Sequence, residues 1–172
     1  KGSPLAPYAN DFVRAGQKYG IDPRFLVAVS GIETGFGRAG SGLANPFGYM
    51  SAKRFSGPRE VLDRMGRELT KPKGYYDGRN TINQIGATWA PPRAANDAGG
   101  NAGWPAAVRR FYQEQGGNPN AVVKGSGRGA AGPVDPTDPV QQVSGQIPGG
   151  QIGAQNLQAL GATMSPQVIA AI

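Results

Sequence analysis

The chain has 172 residues, a formal net charge of +7 at pH 7, and neither Cys nor His. Their absence excludes thiol nucleophiles, Ser-His-Asp triads, disulfides and ordinary zinc sites, so any catalysis must use carboxylates, hydroxyls, amides, Lys or Arg. The chain contains 28 Gly and 15 Pro, a quarter of its residues, which indicates that part of it does not pack into a core.

The composition changes near residue 117 and divides the chain into three parts. Residues 1–117 hold 16 of the 18 basic and 9 of the 11 acidic residues, and therefore the whole net charge. Residues 118–150 are rich in Gly, Pro, Ser, Gln and Asp, with too few large apolar groups to offset chain entropy, and predict a linker or extended arm. Residues 151–172 regain apolar character and predict a short helical tail.

The first part predicts an all-α domain, with five helices and no strand. The helices are expected at about residues 4–18, 22–34, 58–69, 81–88 and 104–115. Ser3 is expected to cap the first helix and Asp22 the second, where Pro23 takes the first helical position. The fifth helix carries the spacing typical of a core-facing helix at Trp104, Ala107, Val108, Phe111 and Tyr112.

Residues 21–37 contain an acidic side chain at the end of an apolar helix face. Leu26, Val29 and Glu33 stand at positions i, i+3 and i+7, so the carboxylate shares a face with apolar residues. Partial burial and the negative end of the helix dipole both disfavour ionised Glu33, as the role of a general acid requires. A solvated Glu at a frayed helix end is the ordinary alternative.

Three motifs occur in order along the first part of the chain. They are Glu33-Thr34-Gly35-Phe36-Gly37, Asn45-Pro46-Phe47-Gly48-Tyr49, and Thr81-Ile82-Asn83-Gln84-Ile85 leading to Trp89-Ala90-Pro91. The first resembles the active-site helix of the lysozyme-like peptidoglycan-cleaving enzymes, and the others are similar to their glucosaminidase branch, glycoside hydrolase family 73. This resemblance covers nearly all of residues 5–117. It implies a lysozyme-like helical fold and cleavage of the glycan strand between N-acetylated amino sugars.

Glycosidic cleavage needs a proton donor for the leaving oxygen and stabilisation of an oxocarbenium-like centre. Glu33 is the predicted proton donor. Asp77, in a Gly-bounded loop after two tyrosines, is the candidate second catalytic carboxylate, with an ordinary turn role as the alternative. Glu60, Asp63 and Glu68 are expected to pair with arginines of their own helix. If no second carboxylate acts, the sugar's N-acetyl group can serve as nucleophile, and the related lytic transglycosylases use a single Glu.

Substrate binding is expected to use aromatic faces against sugar rings and an amide near the acid. The predicted substrate-binding residues are Asn45, Phe47, Tyr49, Tyr75 and Tyr76. Phe36 and Phe47 are predicted to form the cleft wall around Glu33, whereas Trp89, Trp104 and Phe111 are assigned to the core. No cofactor or metal is expected, and the glycines between residues 35 and 42 lack the Lys-Ser or Lys-Thr pair of a phosphate loop.

These features predict an endo-N-acetylglucosaminidase-type hydrolase of bacterial peptidoglycan. It is expected to be extracellular or virion-associated on a phage tail, with protein partners that order residues 118–172. The alternatives are a lytic transglycosylase of the same fold, or a non-catalytic wall-binding or structural module of a phage tail. The positive charge suits an anionic wall. Nucleic acid is not expected as a partner, and no apolar run approaches the ~20 residues of a membrane span.

Overall fold

A computed structural model of the protein describes residues 2–40, 42–50, 54–91 and 103–125. Within these ranges the chain forms five α-helices and no strand, which confirms the predicted all-α class for this part. The helices are α1 (Ala9–Tyr19), α2 (Pro23–Thr34), α3 (Pro58–Thr70), α4 (Ile82–Trp89) and α5 (Gly103–Glu114), with short 3-10 helices at Ala6–Tyr8 and Gly42–Ala44. The predicted arm beyond residue 125 and the predicted tail at 151–172 lie outside the described residues.

Local capping signals explain where α2 and α4 begin. Asp22 caps α2, because its Oδ1 accepts a hydrogen bond of 2.9 Å from the backbone N–H of Arg24. Thr81 caps α4 through a capping box, in which its hydroxyl accepts from the N–H of Gln84 and the Gln84 side chain accepts from the N–H of Thr81. The predicted starts of both helices are therefore confirmed.

The predicted cap at Ser3 is wrong. The chain first forms the 3-10 helix, and α1 begins only at Ala9. The Ser3 hydroxyl instead accepts from the N–H of Leu5 at 3.0 Å and donates to the carbonyl of Phe36 at 2.8 Å. A proline within the first turn removes a backbone donor, which favours a short irregular turn before the regular helix.

Helix α2 lies at the centre of the domain. Its residues 25–29 are all buried, so the helix is enclosed on every side rather than amphipathic. It packs against α5 and α1, while α3 packs on α1 and α4 packs on α5. The last turn of α2, which carries Glu33, is consequently positioned by the surrounding helices.

A buried polar contact joins the start of α2 to the end of α5. Arg24 forms a salt bridge with Asp22, with 2.6 Å between Nη2 and Oδ2, and donates to the carbonyl of Gly116 at 3.2 Å. The Tyr112 hydroxyl donates to the same Asp22 oxygen at 2.6 Å. Such a buried charge is tolerated because its hydrogen bonds are made.

Residues 118–125, which the composition assigns to the linker, pack on the helical domain. Val123 is buried, its carbonyl accepts from the N–H of Asp22, and its N–H donates to the carbonyl of Asn80, both at 2.8 Å. The Lys124 ammonium donates to the carbonyl of Tyr76 at 2.9 Å. This segment therefore connects the start of α2 to the loop before α4.

We expect Tyr112→Phe to lower the free energy of unfolding by about 1.5–3 kcal/mol, the usual contribution of a hydrogen bond to a charged group. The reason is that the substitution removes the phenolic donor to Asp22, whose side chain is only 9% exposed. Urea denaturation measures the change. Tyr75→Phe is the matched control, because Tyr75 is 82% exposed. Equal losses in the two variants would contradict the assigned role of this bond.

Candidate active site

Glu33 lies in the last turn of α2 and is half-buried. The helix ends directly after Thr34, because Gly35 adopts a left-handed conformation with φ 56° and its N–H bonds to the carbonyl of Gly31 at 3.1 Å. Gly35 takes this conformation without the steric cost that a side chain would impose. The chain thus turns away and leaves the carboxylate at the edge of the core.

Thr34 joins the first motif to the second. Its buried hydroxyl accepts from the N–H of Gly37 at 3.0 Å and lies 2.9 Å from the carbonyl of Pro46, to which it donates. One side chain therefore shapes the turn after α2 and holds the 45–49 loop beside that turn. This contact gives the spacing of the two motifs a physical reason.

Asn45 braces the 45–49 loop from inside. It is buried, its Nδ2 donates to the carbonyl of Tyr49 at 2.7 Å, and its Oδ1 accepts from the N–H of Tyr49 at 3.2 Å. The loop brings Gly48 against the acid, where a Cβ on Gly48 would lie 3.7 Å from Glu33 Oε2. Gly48 itself is exposed, so this carboxylate oxygen lies next to the protein surface.

The third motif also supplies a residue that contacts Glu33. The indole N–H groups of Trp89, the last residue of α4, and Trp104, in the first turn of α5, both donate to Glu33 Oε1 at 2.8 Å. The two rings are stacked, with centroids 5.7 Å apart and an interplanar angle of 26°. We refer to Glu33, Gly48, Tyr76, Trp89 and Trp104 as the Glu33 cluster.

A glycine allows α5 to approach α4 closely enough for this arrangement. A Cβ on Gly86 would lie 2.9 Å from Pro105 Cγ and 3.0 Å from Trp104 Cε3, closer than the packed atoms permit. The missing side chain therefore provides the space in which Trp104 extends toward Glu33. Replacement of Gly86 would therefore displace Pro105 and this indole.

Tyr76 completes the cluster on the side of the 71–80 loop. Its ring lies 6.2 Å from that of Trp89 and is half-buried. Burial raises the pKa of Tyr76 to about 12, and the nearby Tyr49, Glu68 and Glu33 act in the same direction. The phenol is therefore protonated at neutral pH and available as a hydrogen-bond donor.

The predicted substrate-binding aromatics occupy three different settings. Tyr49 and Tyr76 are half-buried near the acid, and Tyr75 is 82% exposed on the same loop as Tyr76. Phe47 is only 2% exposed, with its ring 6.2 Å from that of Phe12 in the core. The ring of Phe47 packs in the core, and a binding role for Phe47 stays a prediction. A direct contact of Asn45 with substrate stays a prediction.

Phe36, the other predicted wall residue, packs against α5. It is half-buried and forms an edge-to-face contact with Phe111 at 5.2 Å. Gly31 leaves the room for this ring, since a Cβ there would lie 2.6 Å from Phe36 Cζ. Phe36 thus supports the turn after Glu33 from the side of the core.

The other carboxylates on α3 and in the 71–80 loop each have their own partners. Two of the predicted pairs form, Asp63 with Arg67 and Glu68 with Arg64. Glu60 instead accepts from the N–H and hydroxyl of Ser56 at 2.8 and 2.9 Å. Asp77 is exposed and accepts from the N–H of Lys73 at 2.8 Å, which is the geometry of a turn residue. A catalytic role for Asp77 stays a prediction.

Trp89 and Trp104 are the site residues that sequence reasoning missed. Trp104 belongs to the core, as predicted, whereas Trp89 is half-buried and packs against it, and the polar edges of both rings reach the acid. A buried indole N–H needs an acceptor. The apolar residues that share a helix face with these two rings provide no hydrogen-bond acceptor. This lack of an acceptor is the sequence signal that points to a polar partner elsewhere in the chain.

No protein-family model, curated protein or solved structure matches this chain. In the part of the chain that the structure describes, no helix has the length and apolar character needed to cross a bilayer. The geometry of the Glu33 cluster and the sequence motifs that meet there are the observations that indicate a function.

We expect Thr34→Val to lower the free energy of unfolding by about 1–3 kcal/mol, because this near-isosteric change leaves the buried Gly37 N–H and Pro46 carbonyl without their partner. Thr34→Ser keeps the hydroxyl and is the matched control. Chemical denaturation measures stability, and amide hydrogen exchange in residues 45–49 reports the loop. Equal exchange in the Val and Ser variants would argue against the tie between the motifs.

Proposed function

We propose that this domain is a lysozyme-like, peptidoglycan-cleaving glycosidase of the endo-N-acetylglucosaminidase type, with Glu33 as its general acid. The observation that carries the proposal is the half-buried Glu33 carboxyl group at the end of α2. One of its oxygens accepts two indole N–H bonds, and the other lies beside the exposed Gly48. All three motifs meet here, because the first contains Glu33, the second places Gly48 beside its Oε2, and the third supplies the indole of Trp89.

The proposed reaction begins with proton transfer from Glu33 to the glycosidic oxygen as the bond between that oxygen and the sugar C1 breaks. Positive charge then develops at C1 and the ring oxygen. Water adds to C1 and gives up a proton to the Glu33 carboxylate, which completes hydrolysis and restores the acid. The surface next to Gly48 is the place where a bridging sugar oxygen can reach Glu33 Oε2.

The surroundings of Glu33 fit a glycan substrate. Tyr49, Tyr75 and Tyr76 present aromatic surface on the two loops near the acid, and such faces pack well against sugar rings. The net charge of +7 favours approach to an anionic cell wall. We assign the substrate contacts to these tyrosines.

A lytic transglycosylase reaction is the second candidate, and the carboxylate contacts favour it. Glu60, Asp63 and Asp77 have hydrogen bonds or ion pairs outside the Glu33 cluster, and Glu68, which lies near Tyr76, forms its ion pair with Arg64. A mechanism with a single acid requires none of them. Its product is an anhydro sugar, which differs from the hydrolysis product by one water molecule.

We further propose that the protein acts outside the cytoplasm, as a secreted wall enzyme or as part of a phage tail. The support is compositional, because the Gly- and Pro-rich sequence after residue 125 is typical of an arm that connects or docks. Protein partners are proposed to bind this arm. The alternative of a non-catalytic wall-binding module predicts the same binding without cleavage.

Glu33→Gln is expected to reduce cleavage of purified peptidoglycan sacculi by about 10²–10⁴-fold, the usual contribution of general acid catalysis. The amide oxygen can still accept the two indole bonds, so the fold is retained. Mass spectrometry of the released muropeptides measures cleavage, identifies the bond that is cut, and separates reducing from anhydro ends.

Glu114→Gln is the matched control, because Glu114 also lies at a helix end but its side chain is 58% exposed. It should cleave as the wild type does. Equal cleavage by Glu33→Gln and the wild type would rule out Glu33 as the acid, and absence of cleavage by both would leave only the wall-binding module.

Gly48→Asn is expected to lower cleavage by about tenfold or more, because a side chain at this position would cover Glu33 Oε2 and displace the substrate oxygen. Asn tolerates the positive φ of 58° better than most residues. Gly40→Asn is the control, with φ 62° and no atom within 4 Å of its Cβ position. If both variants cleave equally well, substrate does not approach past Gly48.

A further inference from the structure

The two oxygens of the Glu33 carboxyl group have different surroundings. Oε1 accepts from both indoles, whereas Oε2 lies on the side of Gly48. An indole N–H can only donate a hydrogen bond, so Oε1 must act as the acceptor in both contacts. A proton on the carboxyl group is consequently favoured on Oε2, the oxygen next to the exposed loop.

We propose that Trp89 and Trp104 are positioning residues that assign separate tasks to the two oxygens of Glu33. Oε1 is kept as a permanent acceptor, and Oε2 carries the proton that is transferred. This inference deepens the proposed glycosidase function and rests on it. The acid therefore presents its proton toward Gly48 rather than into the protein.

The indole pair is rigid enough to hold the carboxyl group in one orientation. The two donors come from different helices, and their rings stack on each other. Trp104 is 7% exposed and packs closely over Gly86, and Trp89 is bordered by Tyr76. Rotation of the Glu33 carboxyl group would break two hydrogen bonds at once.

The same bonds also assist the transfer itself. When Glu33 gives up its proton, the carboxylate that forms already has two N–H donors on Oε1. Hydrogen bonds to a charged acceptor are stronger than those to a neutral one. Donors that are in place before the reaction stabilise the developing charge without reorganisation. The pair thus orients the acid and stabilises its conjugate base.

Nuclear magnetic resonance of the uniformly ¹⁵N-labelled full chain provides the test. The chain has two Trp and no His, so two indole N–H signals are expected and no imidazole titration overlaps them. Both indole signals should shift with pH at one shared midpoint, because both report the same carboxyl group. Both shifts should vanish in Glu33→Gln. Independent midpoints, or shifts that persist in Glu33→Gln, would overturn the assignment.

Trp89→Phe then tests the function of the pair, since it keeps a ring in the half-buried position and removes one donor. Loss of a donor disfavours the carboxylate, so the remaining Trp104 signal should titrate at higher pH. We expect kcat for peptidoglycan to fall about tenfold with KM nearly unchanged, because an interaction used in the transition state is lost. An unchanged Trp104 midpoint and an unchanged kcat would overturn the positioning role.

Phe111→Leu is the packing control. Phe111 is half-buried on α5 and contacts Phe36 rather than Glu33. It should lower stability without moving the indole midpoint. Failure of the proposed function and failure of the positioning role give different results. Cleavage that does not depend on Glu33 removes the proposed function with Glu33 as the acid, whereas Glu33-dependent cleavage without a shared indole titration removes only the positioning role.

Discussion

A single carboxylate oxygen links three helices of this protein through two hydrogen bonds. Glu33 Oε1, at the end of α2, accepts one hydrogen bond from Trp89 at the end of α4 and one from Trp104 at the start of α5. Polar groups within a packed core are stable when their hydrogen bonds are made and costly when they are not. The acid and the two indoles therefore stabilise each other. The contacts that form the proposed active site also hold α4 and α5 against the end of α2.

The helices were predictable because each has a local signal in the sequence. The Asp22 cap, the Thr81 capping box and the apolar stripes place the helix boundaries to within a few residues. Composition was less informative about residues 118–125. Their packing depends on two backbone hydrogen bonds, from the N–H of Asp22 to the carbonyl of Val123 and from the N–H of Val123 to the carbonyl of Asn80, and both partners are distant in sequence. Ser3 was misassigned because its hydroxyl bonds to the carbonyl of Phe36, a contact that no local pattern reports.

The candidate site was only partly predictable for the same reason. The face of α2 that carries Glu33 follows from its spacing to Leu26 and Val29. An apolar helix face, however, describes only one side of the carboxyl group. Its other neighbours are indole N–H groups 56 and 71 residues further along the chain, so the surroundings of Glu33 are less apolar than its own helix indicates. Helical periodicity locates rings in a core but does not show which way their polar edges point.

Helix α2 is specified at both ends by polar contacts to the same neighbour. At its start, Asp22 accepts from Tyr112 near the end of α5, and at its end Glu33 accepts from Trp104 near the start of α5. The apolar contacts between them lack the directionality of hydrogen bonds and can adjust to small shifts. The two terminal contacts cannot, because insertion of one residue rotates everything beyond it by about 100° around the helix axis. The number of residues in α2 is therefore fixed by these two contacts, and an insertion or deletion within the helix would separate Asp22 or Glu33 from its partner on α5.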